Sequence, residues 1–523
     1  MGLDHRGRRD GRHGSTTDAP PRPPQAFERP PAVAAGSGGS SVRWSAIAVI
    51  GRQFSQLLAA LVLARILGPE NYGIISAATV YVTLTTLLLD QGLAAALVQR
   101  PTLTRTMPGA VASANLISAA VLAAATWFAA PAVATFFNAE PLTDLLRVLG
   151  LGLLLKGLAV TPRAIQQRLL NFKKIGIADI CGGVVGAGCG IVAALLGAGI
   201  WAMAVQILIT DLVIALVLLV VSRGTLPNLH LRQLASILPF SLRIFGSNAL
   251  AFMSRNVDNV LVGRFLGVGA LSVYSMAYRV LVIPVQMIGQ TVNRVAFPTF
   301  SRLAEQRDRL VQSLLKVTEL LAFAAVPAMF LVAVSAPELV QVVLGEAWAA
   351  TAPVLTVLAI AGARETVFNV TGSLMRAKGA GKLIIRYEWL ATGTQVLGIV
   401  VGLQFGLLGV AIGLTAAGFA LTPVLLIIQR RLCGVRIRAQ LHRILAPIHC
   451  ALWGSAAYLL VRWWVDEGAL ATVLIGAAAY LLLAMIVLRL LHRAALRRAI
   501  SAALEILGAR SPHKSAGPKV QES

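Results

Sequence analysis

A 523-residue chain that is 57% hydrophobic and 13% charged, with a mean hydropathy of +0.76, is too apolar for a soluble fold of one or two domains. Its net charge of +24 and pI of about 11.2 raise nucleic acid as a partner, but no recognition module accompanies the basic residues. They are spread over regularly spaced connections, so no nucleic-acid partner is expected and the chain reads as a polytopic membrane protein.

Residues 1–42 are rich in Pro, Gly, Arg and Ser and have little to bury, which predicts a disordered cytoplasmic tail. No apolar stretch with a small-residue cleavage site precedes Trp44, so the first span reads as an uncleaved anchor. Fourteen stretches then hold about twenty mainly apolar residues each, enough to cross a bilayer as a helix. They lie near 43–65, 73–97, 109–133, 143–162, 175–197, 200–222, 239–263, 270–295, 317–336, 351–374, 386–404, 407–429, 444–463 and 469–488.

Basic residues fall at alternate connections. One set carries Arg100 and Arg105, then Arg163, Arg168, Lys173 and Lys174, and later Arg302, Arg307, Arg309 and Lys316, Arg376, Lys378 and Lys382, and Arg430 to Arg443. The opposite turns show only Arg65, Arg264 and Arg462. Lys and Arg near span ends are retained in the cytoplasm, so both termini are predicted to be cytoplasmic. The preference for Arg over Lys, with abundant Ala and Gly, points to a GC-rich bacterial genome and hence to the bacterial cytoplasmic (inner) membrane.

The outward turns are too short to handle a glycan acceptor and no G-x-x-x-x-G-K-[ST] is present, so neither a membrane-embedded glycan enzyme nor an ATPase is expected. Cys181 and Cys189 stand eight residues apart on one helix, about 12 Å, too far for a disulfide. No metal or other cofactor is predicted.

An internal repeat carries more information. ARILGPENYGIISAA from Ala64 aligns with GRFLGVGALSVYSMA from Gly263, pairing Arg65 with Arg264, Gly68 with Gly267 and Ser76 with Ser275 at an offset of 199. Further on, an offset of 209 pairs Lys173 with Lys382, Asp179 with Glu388 and Gly197 with Gly406. Ten extra residues fit the longer connection around Ser301–Lys316. Two copies of six spans predict an N-terminal lobe over 43–222 and a C-terminal lobe over 239–430, related by an axis along the membrane normal with a cavity between them. Two further helices over 444–488 and a basic cytoplasmic tail over 489–523 complete the chain.

The stretches LARILGPENYG with DQGLAAALVQR, TPRAIQQRLLNFKK, NVDNVLVGRFLGVGALSVYSMAYRVLVIPVQ with VNRVAFPTFSRL, and GSLMRAKGAGKLIIRYEWL carry a family resemblance. From about Val42 to Arg430 the chain resembles the polysaccharide-transporter branch of the multidrug/oligosaccharidyl-lipid/polysaccharide exporter superfamily, the Wzx-type flippases. The resemblance implies an all-α fold of two six-helix bundles in a V shape plus two terminal helices. It implies translocation of polyprenyl pyrophosphate-linked oligosaccharide to the outer leaflet for lipopolysaccharide or exopolysaccharide, by alternating access. Lipid-linked oligosaccharide, the bilayer, and a polysaccharide polymerase or other assembly machinery are the partners implied. Two other readings stand beside it: a multidrug or peptidoglycan-precursor exporter of the same superfamily, and a glycan-assembly scaffold without transport activity.

An anionic headgroup needs cations along its path, and charges inside spans usually face a bundle interior or a wet cavity. The candidate cationic cavity comprises Arg255, Arg279, Arg364, Lys156, Arg147 and Arg52. Arg255 lies three residues before Asp258, where a structural ion pair is the competing reading, and Glu365 neighbours Arg364. Arg52 is near enough to a span start to snorkel. Asn256, Asp258, Asn259, Asp211 and Asp90 are candidate polar or ion-coupling residues, for proton or sodium. Asp211 shows no local partner in sequence. Asp179 and Glu388 are expected to neutralise adjoining basic loops, and Glu319 is a further acidic candidate. Gly182, Gly186 and Gly190 recur every four residues and predict close packing of the fifth span.

Overall fold

The computed structural model describes residues 38–90, 92–100, 103, 104, 106–222, 227, 228, 245, 252, 256–465 and 468–506; side chains are described from residue 56, apart from 90, 282–284, 286–288, 290, 291, 293, 294, 500 and 502–506. The described chain is helical, and ten of its helical stretches are long and apolar enough to cross a membrane.

Helix α1 (Gly38–Asp90) takes in the first predicted span and most of the second, which ends beyond the left-handed Gly92 in the short helix that follows. The connection between them shrinks to a break at Gly68, whose φ of 73° the next residue, Pro69, follows with a fixed φ suited to restarting a helix. After α2 (Leu93–Gln99) come α3 (Met107–Phe137), α4 (Leu142–Arg168), α5 (Phe172–Leu195) and α6 (Trp201–Val221). The predicted seventh span is described only as helix α7, residues 256–265. The series continues with α8 (Gly267–Arg302), α9 (Arg307–Val343) and a one-turn 3-10 helix, η1 (Glu346–Trp348). The predicted tenth span is α10 (Thr351–Phe368) followed by α11 (Val370–Ala377), and the eleventh is α12 (Gly381–Leu403). The twelfth is α13 (Gly406–Ala420) and α14 (Thr422–Cys433), restarted by Pro423 in the first turn of α14. Helices α15 (Ile437–Trp464) and α16 (Ala469–Leu491) match the last two.

One terminal segment differs from expectation and the other gains an element. Gly38 to Val42 are already helical within α1, and the basic tail contains an amphipathic helix, α17 (Arg493–Ile506). Residues 1–37 and 507–523 lie outside the described residues.

In the first half α3 packs on α4, α5 on α6, and α1 on α5. Glycine makes the α5–α6 approach possible: a Cβ at Gly186 would stand 2.7 Å from the carbonyl oxygen of Gln206, while Gly182 and Gly190 press against α6 in the same way. In the second half α9 and α8 pack on α10, and α12 on α13. Helices α15 and α16 pair with each other and lie against α9.

The sequence repeat reappears in the backbone. Left-handed residues recur in corresponding places: Gly68 with Gly267, Asn138 with Gly345, Leu170 with Gly379, and Gly197 with Gly406. The Asn138–Gly345 offset of 207 lies between 199 and 209, so most of the inserted residues fall ahead of the end of α9, around the predicted longer connection.

The halves meet through α1 and α8. Gly73 faces the Val268 carbonyl so closely that a Cβ would lie 2.1 Å from its oxygen. The buried Trp348 donates its indole N–H to the Ala64 carbonyl at 3.0 Å and meets Tyr72 edge-on. Ser76 and Ser275 touch Oγ to Oγ at 3.0 Å. These contacts seal one end of the space between the halves.

Candidate substrate cavity

Below that seal lies a cavity of about 760 Å³, bounded by α1, α4, α5, α6, α7 and α8. Helix α1 contributes Gln56, Ser76, Thr79 and Thr83, and α6 contributes Gln206, Thr210 and Asp211. From the second half come Asn256 and Asn259 on α7 and Ser275, Tyr278 and Arg279 on α8. Residues three and four apart share a helical face, which is why these polar groups gather on the inner side of otherwise apolar helices.

The charge sits in two places. Lys156 on α4 lies 3.0 Å from Asp211 Oδ1 and 2.9 Å from Oδ2, so these two largely cancel. Arg279 enters from the opposite half and has no ion-pair partner among the described residues, which leaves the wall with one uncompensated cation there. Elsewhere in the lining, Tyr72 Oη and Gln206 Oε1 are buried without hydrogen-bond partners. Buried polar atoms are normally satisfied, so these are groups that water, a sugar hydroxyl or a cation can engage.

Of the predicted residues, Lys156, Arg279, Asn256, Asn259 and Asp211 therefore come together. Asp211 gains across the α4–α6 contact the partner that local sequence does not show.

Three others do not line this cavity. Arg147, near the start of α4, pairs with Asp144 at 3.3 Å and stacks on Trp127, its guanidinium 5.1 Å from the ring centre. Arg364 turns toward α14, where Nε donates to Thr422 Oγ1 at 3.0 Å, and sits over Phe368. Asp258 is buried, accepting from the Tyr274 hydroxyl at 2.8 Å and from the Asn259 amide at 2.8 Å. The reasons differ. Arg147 lies near one end of α4, beside the exposed Asp144. Arg364 is on α10, which does not border the cavity, and Asp258 is on α7 but turned away from the face that carries Asn256 and Asn259. Arg255 lies outside the described residues, as do the side chains of Arg52 and Asp90.

Of the remaining acids, Asp179 and Glu319 are paired, whereas Glu388 is exposed and makes no ion pair among the described residues. Asp179 takes two contacts from Arg163, one at 3.2 Å, and Glu319 is held by Arg443 and by Arg498 of α17, the latter at 3.0 Å.

Sequence reasoning missed Gln56, Thr79, Thr83, Gln206, Thr210 and Tyr278. The spacing of four in Thr79–Thr83 and Gln206–Thr210 was the available signal, since it puts both hydroxyl or amide groups on one face.

The fold and this cavity define a multi-span membrane transporter of two helical halves. Residues 62–353 match the model of a family described as polysaccharide biosynthesis protein, and the chain belongs to that family. It is 26% identical over 383 residues to the lipopolysaccharide biosynthesis protein WzxC of Escherichia coli (strain K12), spanning 72% of this chain and 77% of that one. It is 28% identical over 361 residues to the succinoglycan biosynthesis transport protein ExoT of Rhizobium meliloti (strain 1021), spanning 69% and 72%. With the teichuronic acid biosynthesis protein TuaB of Bacillus subtilis (strain 168) identity is 30% over 315 residues, 58% and 63%. Among solved structures, the lipid II flippase MurJ in an inward closed conformation superposes with a TM-score of 0.68 at 14% identity, covering 85% of this chain and 98% of that one. The shared fold has two six-helix bundles with two further helices.

Proposed function

We propose that this protein is a flippase that moves a polyprenyl pyrophosphate-linked oligosaccharide from the cytoplasmic to the outer leaflet for surface polysaccharide synthesis. The observation that carries the reading is the cavity itself: polar, sealed at one end, and set with Lys156 and Arg279 on opposite halves. The names of the relatives, which concern lipopolysaccharide, succinoglycan transport and lipid II, support a lipid-linked glycan as cargo. No bond-making step is required of the protein.

The sealed end carries Arg65 and Arg264, on the side poor in Lys and Arg, so it is read as the outward face with both termini cytoplasmic. The cavity then receives substrate from the cytoplasmic leaflet. The diphosphate meets Arg279, and sugar hydroxyls meet Gln56, Thr79, Gln206 and Tyr278. Rocking of the halves would break the seal between α1 and α8 and open the same cavity outward.

Anion export down an inside-negative potential gains about 2.3 kcal/mol per charge per 100 mV. Coupling would pass through Asp211: a diphosphate that draws Lys156 away leaves the carboxylate to take up a proton or sodium ion.

Gene deletion with complementation tests the reading. Wild type should restore surface glycan, whereas Arg279→Ala should leave lipid-linked precursor trapped on the inner leaflet. Unchanged glycan and precursor after deletion, with altered sensitivity to cationic drugs, would overturn it in favour of a multidrug exporter.

A further inference from the structure

Beside the polar cavity lies a second pocket of about 230 Å³ whose described lining is wholly aliphatic. Helix α1 supplies Leu57 and Leu61, α8 supplies Val280, and α9 and α10 close it with residues that include Leu339, Val343 and Leu355. It straddles the two halves, as the cavity does.

The two spaces share a wall. Leu57 lines both, and its neighbour Gln56 faces the polar cavity. On α8 the same division occurs one residue apart: Arg279 lines the cavity and Val280 the pocket. Successive residues on a helix point about 100° apart, so one turn of each helix presents a polar group to one space and an aliphatic group to the other. The pocket is not a closed void, since Leu57, Leu61, Val280, Leu339 and Val343 are all partly exposed, and a site without polar partners takes hydrocarbon rather than ordered water.

We propose that this pocket is the subsite for the isoprene units nearest the diphosphate of a polyprenyl-linked substrate. The inference rests on the flippase reading and adds where the lipid goes. In a polyprenyl diphosphate the branched hydrocarbon begins at the phosphate oxygen, which suits the single-residue step from Arg279 to Val280. A phospholipid separates its phosphate from its acyl chains by a glycerol ester unit and fits that step poorly. Lipid tails are already in hydrocarbon, so the pocket gains little hydrophobic energy in the membrane. Its contribution is positional: it anchors the chain so that the diphosphate meets Arg279.

Binding of methyl diphosphate, geranyl diphosphate and the straight-chain decyl diphosphate to the purified full-length protein in detergent tests this. Wild type should bind geranyl diphosphate roughly 30-fold or more tighter than methyl diphosphate, since each buried methylene is worth about fourfold. Leu339→Trp, and independently Val343→Phe, should cut that ratio at least tenfold while leaving methyl diphosphate affinity within twofold. A wild-type ratio below threefold, or a ratio unchanged in both variants, overturns the tail subsite alone. Decyl diphosphate binding as tightly as geranyl diphosphate, with the same dependence on Leu339, overturns the isoprenoid assignment. If no diphosphate binds wild type, or if methyl diphosphate binds Arg279→Ala equally well, the flippase reading of the cavity fails first.

Discussion

Arg65 and Arg264 stand 199 residues apart in corresponding places of the repeat, and each caps a helix of the other half. Arg65 Nη1 donates to the Val342 carbonyl at the end of α9 at 2.7 Å, and Arg264 Nη1 to the Phe136 carbonyl at the end of α3 at 3.1 Å. The last carbonyls of a helix lack intrahelical donors and carry its negative pole, so a guanidinium there is favoured. Arg264 also stacks on Phe136. The result is a reciprocal clasp across the sealed end.

Each guanidinium is exposed, so removing it should cost about 0.3–1 kcal/mol of the sealed state, roughly a two- to fivefold shift in population. Spin labels across the sealed end of Arg65→Ala and Arg264→Ala should report that shift. The two contacts are separate, and the double variant should show their sum. Distance distributions identical to wild type in the double variant would show that the clasp does not bias the equilibrium.

Gly73 should be intolerant of even one methyl group. In Gly73→Ala the added carbon would sit 2.1 Å from the Val268 oxygen, and backbone cannot yield as a flexible side chain can. Overpacking of this kind costs about 1–3 kcal/mol, here charged to the sealed state only. Cysteine crosslinking across the sealed end should slow severalfold, with the melting temperature little changed.

The Lys156–Asp211 pair separates stability from transport. Lys156→Met alone strands a partly buried carboxylate and should destabilise by about 3 kcal/mol, visible as a lower melting temperature in detergent. Lys156→Met with Asp211→Leu should recover most of that loss, because apolar replacements of a buried pair are often neutral. Flipping should be lost in both. Full transport by the thermally recovered double variant would remove this pair from the mechanism.

Leu170 occupies the left-handed region at a φ of 55°, where its repeat partner is Gly379. A β-carbon there costs about 1–2 kcal/mol, and Leu170 is 42% exposed, so it loses little packing. Leu170→Gly should raise stability by about 0.5–1 kcal/mol, and Gly379→Ala should lower it by a similar amount, both read from thermal unfolding.

The sequence by itself determined the membrane class, the order and approximate limits of the spans, and the twofold repeat. These are one-dimensional properties. Hydrophobic length sets what can cross a bilayer, and Arg65, Gly68 and Ser76 reappear at a constant offset because each half must build the same turns. Depth was legible too, which is how Lys156, Arg279 and Asp211 were singled out.

Only the tertiary structure decided which deep polar residues share a cavity. Lys156, Arg147, Asp211, Arg364 and Asp258 are all charged groups within predicted spans, yet Arg147 stays at the end of α4 on Trp127, and Arg364 belongs to α10 and reaches Thr422. Rotation by about 100° per residue turns Asp258 to Tyr274 while Asn256 and Asn259 face the cavity. Which helices border the cavity, and which face each turns to it, are set by the neighbours each helix packs against, as where Gly182, Gly186 and Gly190 draw α5 onto α6. The partnership of Lys156 with Asp211, and the clasp of Arg65 and Arg264 on each other's halves, arise from contacts 55 and 277 or 128 residues apart in the chain. No local pattern encodes such pairs, because they exist only once the helices are assembled.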